Sequence, residues 1–206
     1  MKIISVQNSK GGVGKTTLAI NIAACLARQN KKVCFYDADS QRTAFDWYSI
    51  KKDSSFNVVP IDNPKLLESQ INELRFDYCI IDNPPAISSF FITSIKLANY
   101  IIVPVSSSAF DMWGLVSMVE TLNIINADFD VLFIHNKFVQ NAKMNKEVKD
   151  AFAEIRLNKK SEFFDVFFRQ SYPRTAMDGE TVFNSNDSKA QAEIEFIVNY
   201  LLRQGD

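Results

Sequence analysis

The chain has 206 residues, the length of one domain rather than of a tandem enzyme. Its 23 Lys plus Arg against 24 Asp plus Glu leave a net charge of −1, so no overall charge advertises nucleic acid. With 47% apolar and 12% aromatic residues it can fill a core that a disordered chain lacks.

Three scattered cysteines (Cys25, Cys34, Cys79) and one histidine (His135) argue against a disulfide frame and against the usual zinc sites. No apolar run approaches the ~18 residues of a membrane span, and none forms a signal peptide. A soluble, cytoplasmic globular protein is expected. In chain order, residues 2–7 (KIISVQ) open as a nearly continuous apolar strand, followed by a helix over 16–29 and a strand over 33–36 (VCFY). A helix is then expected over 64–74, a strand over 78–81 (YCII), a helix over 89–98 and a strand over 100–105 (YIIVPV). A helix over 111–126, a strand over 131–134 (VLFI), a helix over 145–157, a sixth strand over 163–168 (FFDVFF) and a helix over 189–203 complete the pattern. Strands apolar throughout belong to parallel sheets covered on both faces. Their alternation with helices makes the fold class α/β, one doubly wound, mostly parallel sheet. No Pro-, Gly- or Ser-rich linker divides the chain, so residues 1–206 are expected to form one domain.

The first strand runs into Asn8-Ser9-Lys10-Gly11-Gly12-Val13-Gly14-Lys15-Thr16-Thr17, and a helix follows at once. A Gly-rich turn lets several backbone N–H groups converge on a polyphosphate without side-chain interference, and the helix N-terminus adds its positive dipole end. Lys15 is placed to reach the β- and γ-phosphates, and the Thr16 hydroxyl to take a place on Mg²⁺. The general pattern G-x-x-x-x-G-K-[ST] is not met to the letter, because Ser9 stands at its first glycine. A second lysine, Lys10, precedes the glycine pair instead.

The stretch from Lys10 to Thr17 resembles the deviant Walker A motif of the ParA/MinD ATPases, a superfamily of P-loop NTPases that includes the nitrogenase iron protein and the arsenical-pump ATPases. The resemblance implies ATP and Mg²⁺ as cofactors, contacts from Lys10, Gly11, Gly12, Val13, Gly14, Lys15, Thr16 and Thr17, and a homodimer that sandwiches two ATP molecules. Lys10 would cross to the phosphates held by the partner, a cation given in trans like an arginine finger. Hydrolysis of the phosphoanhydride would then rest on Lys10, Lys15 and Asp39.

The second strand ends in Asp37-Ala38-Asp39-Ser40-Gln41, where the family has a D-x-D-P-Q-like stretch. The family's second Asp orients the attacking water, a role that falls on Asp39, also a candidate metal neighbour. Ser40 replaces the usual proline. Asp37 either supports the metal's water shell or caps the next helix. The strand over 78–81 ends in Asp82-Asn83-Pro84-Pro85, which reads as Walker B, an apolar strand delivering an acid to Mg²⁺.

Further on, Arg169-Gln-Ser-Tyr172-Pro-Arg174-Thr-Ala176 and the Gly179 to Phe183 stretch resemble the segment before the last helix of short plasmid partition proteins of the ParA/ParF type. The first strand starts within two residues of Met1, so no N-terminal helix-turn-helix domain is expected. Asn136 matches where the superfamily often places an adenine contact; the alternative is a turn asparagine. His135 reads as a structural side chain at a strand end, since no partner is identifiable in the sequence.

For nucleic acid, the local pattern matters. Residues 137–160 carry an excess of four positive charges. If 145–160 is helical at ~100° per residue, Lys146, Lys149, Arg156 and Lys160 share a sector ~80° wide, with Glu147, Asp150 and Glu154 to one side and Val148, Phe152 and Ile155 buried. Such a stripe can track a phosphate backbone, or be a solvated helix face. The leading expectation is a ParA-type partition ATPase, nucleoid-associated as an ATP-bound dimer on non-specific DNA, with hydrolysis stimulated by a centromere-binding ParB/ParG-like adaptor. Alternatives are a positioner of another cargo and a MinD-like membrane-cycling ATPase. The tail, with Glu193 and Glu195 and little basic charge, reads as a packed helix rather than a membrane-binding one. A metallocluster carrier would need cysteines on loops, whereas all three fall within expected helices or strands.

Overall fold

The computed structural model describes residues 1–50, 55–73, 75–107, 109–140 and 144–204. Seven parallel strands, β1 (Lys2–Val6), β2 (Val33–Asp37), β3 (Asn57–Pro60), β4 (Tyr78–Asp82), β5 (Tyr100–Val105), β6 (Asp130–Phe138) and β7 (Ser161–Phe167), lie in the order β3-β2-β4-β1-β5-β6-β7. The helices between them are α1 (Lys15–Arg28), α2 (Thr43–Ile50), α3 (Pro64–Glu73), α4 (Ser89–Leu97), α5 (Ala109–Ile124), α6 (Met144–Glu154), α7 (Ser171–Met177) and α8 (Ser188–Arg203). The α/β, doubly wound expectation is met.

Side chains alternate across the strands, so neighbouring residues feed two cores. Ile4, Val6, Phe35, Ile80, Ile102 and Leu132 pack with Leu18, Ile22 and Leu26 of α1 and Ile194, Val198 and Leu201 of α8. Ile3, Tyr36, Ile81, Ile101, Val103 and Phe133 pack on the other face with Leu67, Phe91 and Leu122. Full burial of such side chains contributes roughly 1.5–3 kcal/mol each, which is why the strands read as unbroken apolar runs. Helix α8 presents Ala190, Ile194, Ile197, Val198 and Leu201 to the core, the packed last helix expected. The cysteines are buried in α1, β2 and β4.

Beyond the expected set, the described residues form strand β3, helices α2 and α7 and a 3₁₀ turn over Val182–Asn184. Strand β3 has only Val58 facing the core, so four residues at the sheet edge show no run. Helix α2 spans about two turns, and α7 just under two with Pro173 in its first turn, where proline is tolerated. The end of the helix expected over 64–74, Leu74, lies outside the described residues.

The helix expected over 145–157 stops at Glu154. Beyond it, Ile155 and Leu157 turn in against the core, while Asn123 at the end of α5 donates to the Arg156 carbonyl and accepts from the Asn158 amide. These long-range bonds take the backbone groups that another helical turn would use.

Strand β1 has β4 on one side and β5 on the other, so chain order reverses at its C-terminal end. Open α/β sheets bind ligands at such switch points, and there the Gly-rich loop leaves β1 and starts α1.

Candidate nucleotide site

Asn8 anchors the loop entrance. Its buried Nδ2 donates to the Pro104 carbonyl of β5 (2.6 Å), and its Oδ1 accepts from the Lys10 amide (2.9 Å). Gly12 and Gly14 have φ of +77° and +95°, conformations that L side chains rarely adopt. At Gly14 space is also closed, because a Cβ would lie 2.2 Å from Asn136 Nδ2. Lys15 opens α1 with 7% of its surface exposed, and its ammonium donates to the Lys10 carbonyl (3.0 Å). Burial lowers the Lys15 pKa, opposed by Asp82 and Asp39.

The carboxylates arrive on neighbouring strands, with Asp37 of β2 beside Asp82 of β4 in register. Thr16 Oγ1 donates to Asp82 Oδ2 at 2.7 Å. Asp82 is buried, its Oδ1 has no hydrogen-bond partner, and burial above all pushes its pKa up to about 7, with Thr16 and Lys15 pulling the other way. An unpartnered buried carboxylate oxygen beside a threonine hydroxyl fits a hard, oxygen-seeking cation. Among the described residues no three His, Cys, Asp or Glu gather as a metal site.

Asp37 makes the contacts of a cap. Its Oδ1 accepts from the Asp39 amide (3.1 Å) and its Oδ2 from the Phe45 amide in the first turn of α2 (2.9 Å). Burial raises its pKa and these amides oppose the rise. Asp39, half-buried, bends its own loop through Oδ1 to the Gln41 amide (3.0 Å). Lys10 is half-buried and Gly11 exposed on the outer side of the loop.

The family profile of the CobQ/CobB/MinD/ParA nucleotide binding domain matches residues 4–182. The chain belongs to this family. Among relatives, a carboxysome distribution protein A of Gloeobacter kilaueensis is 33% identical over 122 residues, covering 58% of this chain and 56% of that protein. A second carboxysome distribution protein A, from Halothiobacillus neapolitanus, is 26% identical over 214 residues, 97% of this chain and 95% of that one. The chromosome-partitioning ATPase Soj of Thermus thermophilus is 27% identical over 155 residues, 60% of this chain and 62% of that one. The first and third matches thus span little more than half of those relatives' lengths. A plasmid partition protein from Borrelia burgdorferi bound to AMPPNP shares the fold, with a TM-score of 0.78 at 21% identity, over 98% of this chain and 99% of that one.

Within this ParA/MinD-type domain, the neighbourhood of the loop holds residues the sequence left open or missed. Asn136 is buried, and its Nδ2 donates to the Val13 carbonyl (2.7 Å). That bond holds the phosphate loop, and Asn136 also lines the cleft that opens beside Gly14. Beside Gly14 and Thr17 opens a cleft of about 270 Å³, walled by Leu18, Phe168, Arg169 and Pro173. Arg169 is fixed there by Glu193 of α8 through Nε (2.9 Å) and Nη2 (2.5 Å), and Tyr172 reaches the same carboxylate at 3.4 Å. The R-x-x-Y stretch was visible as a motif; its carboxylate partner was not.

His135 is buried at the end of β6 and has the partners that the sequence did not show: Ser107 Oγ lies 2.6 Å from Nε2 and Asp165 Oδ1 3.3 Å from Nδ1. The register pairing of His135 with Asp165 across β6 and β7 is invisible without the fold.

The basic stripe requires correction. Because α6 ends at Glu154, only Lys146 and Lys149 stand on the helix. Arg156 lies in the following loop, and Lys160 precedes β7, where its ammonium donates to Gln204 (2.6 Å) and lies 3.7 Å from Asp130. No helical sector unites the four.

Proposed function

We propose that this chain is a ParA-type ATPase, one domain over residues 1–206, that binds ATP at the Gly12–Thr17 loop, pairs with a second copy, and in that state holds DNA without sequence preference. The observation that carries the reading is the grouping of buried Lys15 and Asp82 with half-buried Thr16 at the switch point, where an acid with an unpartnered oxygen accepts from a threonine hydroxyl at the end of a glycine loop. A buried ammonium and a buried carboxylate side by side match the alternating charges of a metal–polyphosphate complex.

Thr16 and Asp82, with Asp39 nearby, are the residues to hold Mg²⁺, whose chemistry when bound is to offset negative charge on the phosphates. Lys15 offsets the remainder from inside the chain and Lys10 from across the pair. Asp39 orients the attacking water, and the loop amides fix the phosphoryl group, so catalysis rests on positioning and charge stabilisation. The cleft beside Gly14 receives the base. Lys146 and Lys149, with Arg156 beyond the helix end, supply phosphate contacts that become effective when two copies present them together. An adaptor bound to the cargo stimulates turnover and releases the pair.

Relatives named for chromosome partitioning support DNA segregation. A cargo other than a plasmid is the second reading, supported by the end-to-end match to a carboxysome distribution protein. A membrane-cycling role has less support. Helix α8 buries Ala190, Ile194, Ile197, Val198 and Leu201 in the core rather than offering them to a lipid surface.

The test is DNA retention by the purified chain with ATP, with ADP and without nucleotide, each at two salt concentrations. Retention with ATP alone, falling steeply with salt, is the expected result. Equal retention in all three states would contradict the proposal.

A further inference from the structure

Strand β6 ends irregularly, right beside the phosphate loop. Its ladder with β7 shifts between Asn136 and Phe138, and Lys137 between them has φ +59°, the left-handed region that a long side chain disfavours. In a regular strand Asn136 and Lys137 would point to opposite faces of the sheet. Here both reach the same loop. Asn136 Nδ2 donates to the Val13 carbonyl and Lys137 Nζ to the Gly12 carbonyl, each at 2.7 Å.

A trans peptide unit points its carbonyl and the following N–H in opposite directions. Drawing the Gly12 carbonyl toward Lys137 therefore turns the Val13 N–H away from it, and drawing the Val13 carbonyl toward Asn136 does the same for the Gly14 N–H. Those are amides in the middle of a loop whose use is to present N–H groups to an anion. A cation on the carbonyl end also polarises the peptide so that its N–H is a better donor.

We infer that Lys137 is a positioning residue for polyphosphate, which together with Asn136 sets the Gly12–Val13–Gly14 peptides so that their amides face the phosphates. The role rests on the reading that this loop binds a nucleoside triphosphate. It also accounts for a lysine at a backbone angle that glycine adopts at less cost: the ammonium is needed at the Gly12 carbonyl, and the backbone is bent to bring it there.

Lys137 also borders the cleft beside Gly14, so the competing possibility is direct contact with base or ribose. Tripolyphosphate has neither, and separates the two. The full chain and its Lys137→Met, Lys137→Arg and Lys137→Gly variants are titrated calorimetrically with tripolyphosphate and with ATP, both with Mg²⁺, and each protein is melted. Lys137→Met is expected to weaken both ligands by the same factor, about tenfold. Lys137→Arg restores most of the affinity. Lys137→Gly melts at or above the wild-type temperature yet binds as weakly as Lys137→Met, because it relieves the backbone and removes the clamp.

Wild-type affinity of Lys137→Met for tripolyphosphate overturns the role, whether or not ATP binding falls. Wild-type protein that binds neither ligand overturns the nucleotide reading and this role with it, an outcome distinguishable because it appears before any substitution.

Discussion

The phosphate loop and the α6 flank both carry lysines, yet they are built on opposite principles. Around the loop nearly every polar group has an assigned position: Asn8 on Pro104, Lys15 on the Lys10 carbonyl, Thr16 on Asp82, Asn136 on Val13. Charges there are buried, so a displacement of an ångström changes their energy strongly. On the flank, Lys146 lies on the surface of α6 and Arg156 on the loop that follows, where solvent screens each charge and exact placement matters little. Chemistry at a phosphoryl group demands the first arrangement, whereas tracking a polyanion of any sequence needs only the second.

The contrast predicts large effects at the loop and small ones on the flank. The largest is expected at Asp82. With a folded pKa raised from 3.8 to about 7, the folded state keeps a proton that the unfolded chain has released between those values, so stability falls as pH rises through that window. Asp82→Asn lacks this penalty. Urea denaturation should show it more stable than wild type by on the order of 4 kcal/mol at pH 8, with the gain nearly gone by pH 4, while Mg²⁺–ATP binding is lost.

Next comes Lys15→Ala, expected to weaken ATP by about a hundredfold in calorimetric titration, since it removes a charge-assisted contact from a buried site. Gly14→Ala should then cost about 2 kcal/mol in a thermal melt, from the positive φ and from the clash with Asn136.

On the flank, replacing Lys146 and Lys149 together by alanine is expected to lower DNA retention about tenfold and flatten its salt dependence, without changing ATP affinity. Lys160→Ala, whose ammonium is engaged by Gln204 and Asp130, should change DNA retention least, with stability shifting by less than about 1 kcal/mol. A Lys160 effect as large as that of the Lys146/Lys149 pair would show that the flank has a fixed geometry after all.

The same contrast governs what could be read in the amino-acid sequence. Strands β1, β2, β4 and β5 were legible to within a residue or so, because both faces are buried and their apolar runs are contiguous. The loop from Asn8 to Thr17 was legible for a related reason: its donors come from consecutive residues. What escaped depends on distant partners. Helix α2 begins where the Asp37 carboxylate accepts from Phe45, and α6 ends where Asn123 takes the chain. Lys137 meets Gly12 across 125 positions of sequence, through a strand irregularity that no local pattern announces.

Pairing around trapped triphosphate is the claim on which the rest depends, and the mass of the particle in solution tests it most directly. Sedimentation velocity on Asp39→Ala protein, expected to hold ATP without consuming it, should give the mass of two chains with Mg²⁺–ATP and of one chain with ADP or no nucleotide. A single-chain mass with saturating ATP bound would contradict the account.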